Sequence, residues 1–380
     1  MTANILFVSS YSDLGGGETA LVTLAAHLDP TRFCPHLLVR REGQLAEAWR
    51  ARGWPVYVLP WRPATVYFIP AVWALLPLVE RIAALIREHD IHLLHSDYHT
   101  LPMALPAAER AGIPAMWTCM GWWFHPQRWQ RHFFRRPAAT FAHSQAIRDG
   151  FLGQPPFLPP ESIHMLYPGV DTARFHPGVD GLRVRFEAGI AADAPVVALV
   201  ARFQDVKGHD TFQEMARQVA LQIPDVRFIV AGENTQSDAD NRYKQRILAT
   251  AQSDPLLRSR LKYIGFRTDV ERVYAAADVV VCSSRFESFG LSVVEAMACG
   301  RPVVSTNKGG PAETVIPGET GMLVAPDDAA GLARGVITLL RDVGSRAQMG
   351  TAARARVIAH FSAQATAARF VSVIEPLLGR

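Results

Sequence analysis

Cysteine is scarce in this sequence, and no two of its cysteines form a C-x-x-C pair. The four residues are Cys34, Cys119, Cys282 and Cys299. Three of them lie within or next to apolar runs, and their spacing outlines no disulfide framework. Disulfides are rare where thiols are kept reduced, so we predict free thiols in a cytoplasmic protein.

Long hydrophobic runs and leader signals are also missing. The apolar stretch Val66–Val79 contains Pro70 and Pro77, is followed by Glu80, and falls well short of the roughly 20 apolar residues of a membrane span. Met1–Ser10 has no basic segment, and its apolar part is too short for a signal peptide. We expect neither a transmembrane helix nor secretion.

A strong excess of one charge is absent too. The formal net charge is +4, the isoelectric point is near 9.0, and lysines and arginines are scattered along the chain. Nucleic acid is therefore not the expected partner, whereas anionic phosphates and lipid headgroups remain candidates.

What the sequence does contain is a repeated alternation of short apolar runs with helical patterns. Continuous apolar character indicates strands covered on both faces, as in a parallel α/β sheet. The predicted strands are Asn4–Ser9, Pro35–Val39, Val56–Leu59, His92–His95, Ala115–Cys119, Ala139–Ala142, Val196–Val200, Arg227–Ala231, Lys262–Ile264, Val279–Cys282, Val303–Ser305 and Met322–Val324.

The rhythm restarts after a proline-rich stretch, Pro155–Pro160, and a chain of 380 residues suits two domains. We predict two doubly wound Rossmann-like α/β domains, residues 1–175 and 176–360, with the ligand site in a cleft between them. Residues 361–380 read as a helix, and periodicity does not decide on which domain it packs.

A glycine-rich loop follows the first predicted strand. Leu14–Glu18 contains three consecutive glycines and precedes a helical pattern, so backbone amides there could bind an anion. The alternative is a tight strand-to-helix turn. A dinucleotide loop is disfavoured because G-x-G-x-x-G is absent and the next strand ends in Arg40 and Arg41 rather than an acid.

Two further segments carry charges at the carboxyl ends of strands. Arg202 and Lys207 follow the strand Val196–Val200, where they could neutralise a pyrophosphate or simply be solvated. In Ser284–Gly300, Glu287 precedes a helix that starts near Gly290, and Glu295 lies in that helix. Amides at the helix start can hold a diphosphate. A carboxylate can accept hydrogen bonds from two vicinal hydroxyls, so one of the two acids could bind a sugar and the other a ribose.

These segments together resemble a known family, the family 4 (group 1) retaining glycosyltransferases of the GT-B fold. The resemblance spans nearly the whole chain and is strongest from Tyr167 to Asp327. Its specific elements are Tyr167–Asp171 with Phe175, the Arg202–Gly208 loop, Val230–Glu233, Tyr263–Phe266, the pair Glu287 and Glu295, and Gly309–Glu313.

The resemblance implies roles for individual residues. Arg202 and Lys207 would bind the donor diphosphate, and Glu287 would contact the donor sugar beside the reacting carbon. Glu295 would bind the ribose. The remaining donor-binding positions are Phe289, Gly290, Leu291, Arg267, and Gly16 and Gly17 of a loop that closes over donor phosphate and acceptor.

The resemblance also assigns the two domains and their partners. The N-terminal domain would be the acceptor side, the C-terminal domain would bind the nucleotide-sugar, and the final helix would return to the N-terminal domain. The enzyme would move a hexose-type sugar to a glycan, lipid-linked or small-molecule acceptor, as in polysaccharide biosynthesis.

One departure from the family concerns Met120. Family members commonly carry a histidine there, and methionine cannot donate a hydrogen bond as imidazole can. Either a neighbouring His125 or His95 substitutes for it, or the sugar contact is lost and activity or donor choice changes.

No metal or other cofactor is expected. Cations and a helix N-terminus can stabilise the leaving diphosphate without one. The D-x-D match at Asp238–Asp240 lies in a polar loop and is read as solvated. Retention of anomeric configuration follows from the resemblance alone.

Aromatic and basic residues alternate between Trp122 and Arg136. They could stack on sugars or lie peripherally on an anionic membrane at its inner face, or they could pack as an amphipathic helix on their own sheet.

Two other functions stay open: a catalytically silent sugar-nucleotide-binding module, and a nonhydrolysing sugar-nucleotide epimerase.

Overall fold

The computed structural model describes residues 2–61, 71–121, 126–233 and 237–379. Within these ranges the chain forms two compact units, residues 1–169 with 363–380 and residues 170–362. Each unit contains one parallel sheet with helices. The α/β class expected from the continuous apolar runs is confirmed, because both faces of a parallel sheet are covered and its strands need no polar face.

The first unit contains a seven-stranded sheet in the order β3-β2-β1-β4-β5-β6-β7. Its strands are β1 (Ala3–Ser9), β2 (Phe33–Val39), β3 (Val56–Val58), β4 (Ile91–Ser96), β5 (Ala115–Cys119), β6 (Ala139–Ala142) and β7 (Ile163–Met165). Its first helices are α1 (Gly16–Ala26), α2 (Gln44–Arg50), α3 (Ala71–Glu88), α4 (Leu101–Ala111) and α5 (Gln145–Leu152), with 3-10 turns at Gln130–Arg135 and Pro160–Ser162.

The second unit contains a six-stranded sheet in the order β10-β9-β8-β11-β12-β13. Its strands are β8 (Val196–Val200), β9 (Arg227–Ala231), β10 (Leu261–Tyr263), β11 (Val279–Cys282), β12 (Val303–Thr306) and β13 (Gly321–Val324). Its helices are α6 (Leu182–Glu187), α7 (His209–Gln222), α8 (Asp238–Ser253), α9 (Pro255–Arg260), α10 (Val270–Ala276), α11 (Leu291–Ala298), α12 (Pro311–Thr314), α13 (Ala329–Arg341) and α14 (Val343–His360), with a 3-10 turn at Asp205–Lys207.

The last helix, α15 (Ala363–Ile374), packs on the first unit and is followed by a 3-10 turn at Pro376–Leu378. Phe370 is fully buried there, with its ring centroid 5.6 Å from that of Phe141 and 6.3 Å from that of Phe7. Burial of one large aromatic side chain contributes several kcal/mol, which explains why the helix leaves the domain that precedes it in sequence.

The boundary between the units differs from the one predicted after residue 175. Val170 belongs to the second unit, where its amide donates to the Phe361 carbonyl at 2.8 Å. Phe175 is buried in the same unit, and Arg354 donates to its carbonyl at 3.0 Å. The chain crosses between units on both sides of this contact, at Gly169 and at Ala363, which sequence periodicity does not reveal.

One strand was missed by the sequence analysis. Strand β7 (Ile163–Met165) is three residues long, lies at the edge of the sheet beside β6, and carries the exposed His164 at its centre. A short edge strand with a polar centre lacks the continuous apolar run by which the other strands were predicted.

Candidate active site

Two loops of the second unit come together at the carboxyl ends of β8 and β11. Gly208 has a φ of +62°, and a Cβ there would lie 2.1 Å from the Ser283 carbonyl oxygen. The Ser283 hydroxyl donates to the Lys207 carbonyl at 3.1 Å. Only glycine permits this approach of the two backbones, so the loop that carries Lys207 is fixed against the loop that carries Glu287.

Lys207 and Glu287 form an ion pair between these loops. The Lys207 ammonium lies 2.7 Å from Glu287 Oε1, and the Ser284 hydroxyl donates to the same oxygen at 2.6 Å. Glu287 is 9% exposed. Among the residues that the structure describes, no donor bonds Glu287 Oε2, so this oxygen is the one left to accept a ligand hydroxyl.

The Glu287 loop is also fixed from its other side. The Gly310 amide donates to the Glu287 carbonyl at 3.0 Å, and a Cβ at Gly309 would lie 1.9 Å from that carbonyl oxygen. A Cβ at Gly310 would lie 2.1 Å from the Phe289 carbonyl oxygen. This glycine pair therefore serves the close approach of its own backbone to that of the Glu287 loop.

Helix α11 begins directly after this loop. Gly290 precedes it with a φ of +87°, a left-handed conformation that glycine adopts without strain, and Leu291 is its first residue. Phe289 is buried, with its ring edge against Phe361. The helix therefore starts beside Glu287 with its first amides unsatisfied within the helix, as an anion site requires.

Glu295 lies in the second turn of α11. The Tyr274 hydroxyl donates to Glu295 Oε2 at 2.7 Å. Burial raises the pKa of Glu295 to about 7, while the Tyr274 hydrogen bond and the positive charge of Arg174 act in the opposite direction. Tyr274 orients this carboxyl group, which is partly ionised near neutral pH.

The two predicted arginines differ in availability. Arg202 is exposed, and within the described ranges its guanidinium forms no hydrogen bond or ion pair. Arg267 donates twice to Asp269 at 2.8 Å and once to Glu187 at 2.7 Å, contacts that raise its pKa further. A donor phosphate would have to displace one of these carboxylates to reach Arg267.

Sequence reasoning missed Arg285. Its guanidinium lies 2.9 Å from Asp210 Oδ2 and 2.9 Å from Asp327 Oδ1, and its amide donates to the Val206 carbonyl at 2.8 Å. It therefore ties the Lys207 loop to the Glu287 loop. Its place within the charged segment Ser284–Gly300 was a signal, but only the structure identifies its partners.

In the first unit, the glycine loop and Met120 meet. Gly16 and Gly17 form the first turn of α1, and a Cβ at Gly17 would lie 3.0 Å from Met120 Sδ. Gly17 and Met120 line a cavity at the carboxyl ends of the strands, together with Asp97 and His143. The structure thus brings together two predicted site residues from separate segments.

The two histidines proposed as substitutes for the missing one have different outcomes. His95 Nε2 lies 2.7 Å from Thr118 Oγ1, and its ring packs against Phe7 and Phe370. Burial, with a smaller effect of the neighbouring His143, lowers the pKa of His95 to about 3. His125 lies outside the described residues, as do residues 122–124.

The basic residues that follow this segment mostly bind within the first unit. The Arg131 guanidinium lies 5.2 Å from the centroid of the Phe157 ring, and Arg135 donates to the Phe157 carbonyl at 3.1 Å. Arg136 Nε donates to Glu109 at 3.0 Å. These contacts hold Arg131, Arg135 and Arg136 on the first unit itself.

The described part of the chain contains neither a metal-binding cluster nor a membrane-spanning helix. No group of three or more histidine, cysteine or acidic side chains there is placed to hold a metal ion. Asp238 and Asp240 lie in the first turn of α8, where acids complement the helix dipole. None of the helices in these ranges has the length and apolar content needed to cross a bilayer.

Solved structures identify the fold class. A glycosyltransferase from Rickettsia africae has a TM-score of 0.87 at 19% identity, covering 99% of both chains. Anabaena Alr3699/HepE, solved in complex with UDP and glucose, has a TM-score of 0.81 at 24% identity, covering 98% of this chain and 100% of that one. The two parallel α/β units thus form the GT-B fold that was predicted.

Sequence comparison identifies the family. Residues 182–356 match the family described as Glycosyl transferases group 1, and residues 14–174 match the family described as Glycosyltransferase Family 4. The chain therefore belongs to the group 1 glycosyltransferases of family 4, and the resemblance found from its motifs is confirmed.

Curated relatives match part of the chain. The D-inositol 3-phosphate glycosyltransferase of Mycolicibacterium vanbaalenii is 38% identical over 205 residues, which are 51% of this chain and 44% of that protein. The enzyme of the same name from Mycobacterium bovis is 36% identical over 214 residues, 53% of this chain and 41% of that protein. Each matched segment spans less than half the length of the relative.

Proposed function

We propose that this protein is a retaining, metal-independent glycosyltransferase that moves a hexose-type sugar from a nucleotide-diphosphate sugar to a hydroxyl-bearing acceptor. The observation that carries the proposal is the 2.7 Å contact of Lys207 with Glu287, immediately before the N-terminus of α11. A cation, a carboxylate and a helix N-terminus at the carboxyl edge of a parallel sheet suit a phosphorylated sugar.

The leaving group dictates the chemistry. The bond between the sugar carbon and the diphosphate oxygen breaks, a bond to the acceptor oxygen forms, and the proton of the acceptor hydroxyl passes to the departing diphosphate. Negative charge grows on the diphosphate, where Lys207, the exposed Arg202 and the amides of α11 would stabilise it. This set of charges would perform the role that a divalent cation has in other transferases.

The two carboxylates would bind the two sugar rings of the donor. Glu287, oriented through Oε1 by Lys207 and Ser284, would accept a hydrogen bond from a donor-sugar hydroxyl through Oε2. Glu295, which accepts a hydrogen bond from Tyr274, would also accept hydrogen bonds from the ribose hydroxyls. A carboxylate with one oxygen engaged and one available suits hydroxyl recognition.

Relatives narrow the donor and acceptor classes to be tested. Anabaena Alr3699/HepE was solved with UDP-glucose, which makes UDP-sugars the first donors to test. The curated relatives are named for inositol 3-phosphate, so polyols join glycans and lipid-linked sugars as acceptor candidates. Peripheral contact with an anionic membrane at the cytoplasmic face remains part of the proposal, and salt-sensitive pelleting with anionic vesicles tests it.

The deciding experiment measures nucleotide diphosphate release from UDP-, GDP- and ADP-sugars. We expect one donor to be turned over by the wild type, and Glu287→Ala and Lys207→Ala to lower its turnover by about 10²-fold or more. The matched controls are Glu319→Ala and Arg217→Ala. Both change an exposed charged residue of the same unit.

Other outcomes would replace the proposal. A donor that binds but is never turned over, even with mixed cell-envelope acceptors, would identify a silent binding module. Conversion of the donor to its epimer without an acceptor would identify an epimerase.

A further inference from the structure

The cavity of the first unit lies where β1, β4, β5 and β6 end. It has a volume of about 40 Å³ and is open on one side. A single water needs about 10–15 Å³, so the space admits a small polar group of a ligand. Apolar side chains such as Leu24 and Met120 form part of the wall, and Asp97, His95 and His143 supply polar groups to it.

Most of these polar groups already have partners. Asp97 Oδ2 accepts the amide and the hydroxyl of Ser10, both at 2.9 Å. Its Oδ1 accepts the Thr100 amide at 2.8 Å and the Thr100 hydroxyl at 3.0 Å. His95 is bonded to Thr118 and packed in the aromatic core. Both side chains therefore serve the fold.

His143 is different. It follows β6 directly, and its amide donates to the Cys119 carbonyl at 3.2 Å, which fixes its backbone beside the end of β5. It is partly exposed and lines the cavity. In the part of the chain that the structure describes, its imidazole has no hydrogen-bond partner.

The environment of His143 keeps the ring uncharged. Burial lowers the pKa of His143 to about 4, so the imidazole is neutral at pH 7. The titratable groups on the cavity wall with it are His95, Glu18 and Asp97. A neutral imidazole has one nitrogen that donates and one that accepts, and a hydroxyl group matches it in either sense.

Charge selects the kind of group that fits. Among the described residues the wall holds the carboxyl groups of Glu18 and Asp97 and no lysine or arginine. Arg40 directly follows β2, but it does not line the cavity. Its Nε donates to the Ser10 carbonyl at 3.2 Å. A phosphate would meet the like charge of these carboxylates, and Glu18 already accepts the Gly15 amide at the start of α1 at 3.0 Å, whereas a neutral hydroxyl would meet no such repulsion.

We propose that His143 binds a neutral hydroxyl group of the acceptor in this cavity, with the carbon face of a sugar or polyol ring against Met120. Only the identification of the bound molecule as the acceptor rests on the proposed transferase function. The cavity, its unpartnered imidazole and its charge are properties of the first unit itself.

The binding test uses NMR of the full chain labelled with ¹³C at histidine Cε1. The sequence contains 13 histidines, and the His143 signal is the one lost in His143→Gln. Titration with myo-inositol or glucose should shift this signal, and inorganic phosphate or the phosphorylated forms of the same compounds should shift it only at much higher concentration. No shift with any of them, or a stronger response to the phosphorylated forms, would overturn the proposal.

The kinetic test uses whichever acceptor the wild type glycosylates. His143→Ala should raise the KM for this acceptor by about 5- to 10-fold, the loss of one hydrogen bond, and leave the donor KM within about twofold. His143→Asn should recover part of the loss because its amide can still donate or accept. His164→Ala, an exposed histidine on the neighbouring β7, is the matched control.

The two proposals fail separately. If no donor is turned over, the transferase function fails while the NMR titration still decides whether His143 binds a hydroxyl compound. If turnover is normal and His143→Ala changes neither KM, the role of His143 is wrong and the transferase function stands.

Discussion

The ammonium group of Lys207 lies 2.7 Å from Oε1 of Glu287, although 80 residues separate them in sequence. Each charge is largely removed from water and each is the main partner of the other, with Ser284 as an additional donor to the carboxylate. Groups in such contact act as a unit, because removal of one leaves the other in an unfavourable environment.

This coupling predicts a non-additive double variant. Lys207→Ala and Glu287→Ala together should lower kcat/KM little more than the worse of the two single changes, with a coupling of about 0.5–3 kcal/mol. The kcat/KM of the wild type, both single variants and the double variant measures it. Losses that simply multiply would show that the two side chains act independently.

The partly buried Glu295 predicts a pH dependence of donor binding. Its pKa of about 7 means that the carboxylate forms as pH rises through neutrality. If the carboxylate binds ribose, the donor KM should be about tenfold higher at pH 6 than at pH 8.5. Steady-state kinetics with fixed acceptor across this range is the measurement.

Two variants separate Glu295 from other titrating groups. Glu295→Gln should have a donor KM that does not change with pH. Tyr274→Phe removes a hydrogen bond that lowers the pKa of Glu295, so the transition in KM should move to higher pH. An unchanged profile in both variants would exclude Glu295 as the titrating group.

Glycine at position 309 is required for space as well as for conformation. Gly309 and Gly318 have nearly the same φ, +82° and +80°, but only at Gly309 would a Cβ meet another atom, the Glu287 carbonyl oxygen at 1.9 Å. Gly309→Ala should displace the Glu287 loop and lower kcat/KM strongly. Gly318→Ala carries only the backbone strain of about 1–2 kcal/mol and should keep its activity. Equal activity of the two variants would contradict the close contact.

Phe370 predicts how firmly the last helix is bound. The side chain is fully buried against Phe7 and Phe141, so Phe370→Ala should lower the free energy of unfolding by about 3–5 kcal/mol. Denaturant unfolding measures the change, with Ser372→Ala, an exposed position of the same helix, as the control. A loss below 1 kcal/mol would mean that α15 is dispensable for the first unit.

Removal of divalent cations tests the proposed division of charge. If Lys207, Arg202 and the start of α11 stabilise the diphosphate as proposed, turnover should be unchanged after dialysis against EDTA. Loss of activity that Mg²⁺ or Mn²⁺ restores would show that a metal ion takes part in catalysis.

The sequence by itself determined the class of the fold. Val279–Cys282 and Ala115–Cys119 were predicted with the bounds that the structure has, because strands covered on both faces carry continuous apolar runs. The helix near Gly290 was likewise readable from a glycine followed by a helical pattern. These are local signals, and each depends on residues within one turn or one strand.

Partners of charged side chains were not readable in this way. Arg267 and Lys207 both follow strands of the second sheet, yet Arg267 is bound by Asp269 and Glu187 while Lys207 meets Glu287. A positive charge has the same appearance in the sequence whether it stabilises a loop or faces a ligand.

Only the tertiary structure decided which segments form the first-unit cavity. The strand order places β1, β4, β5 and β6 in succession, so that Gly17, Met120 and His143 meet at one edge of the sheet. Hydrophobic periodicity predicts that a strand is buried but not which strand lies beside it. The order of the strands depends on how the crossover helices pack, and with it the place of every residue that follows a strand.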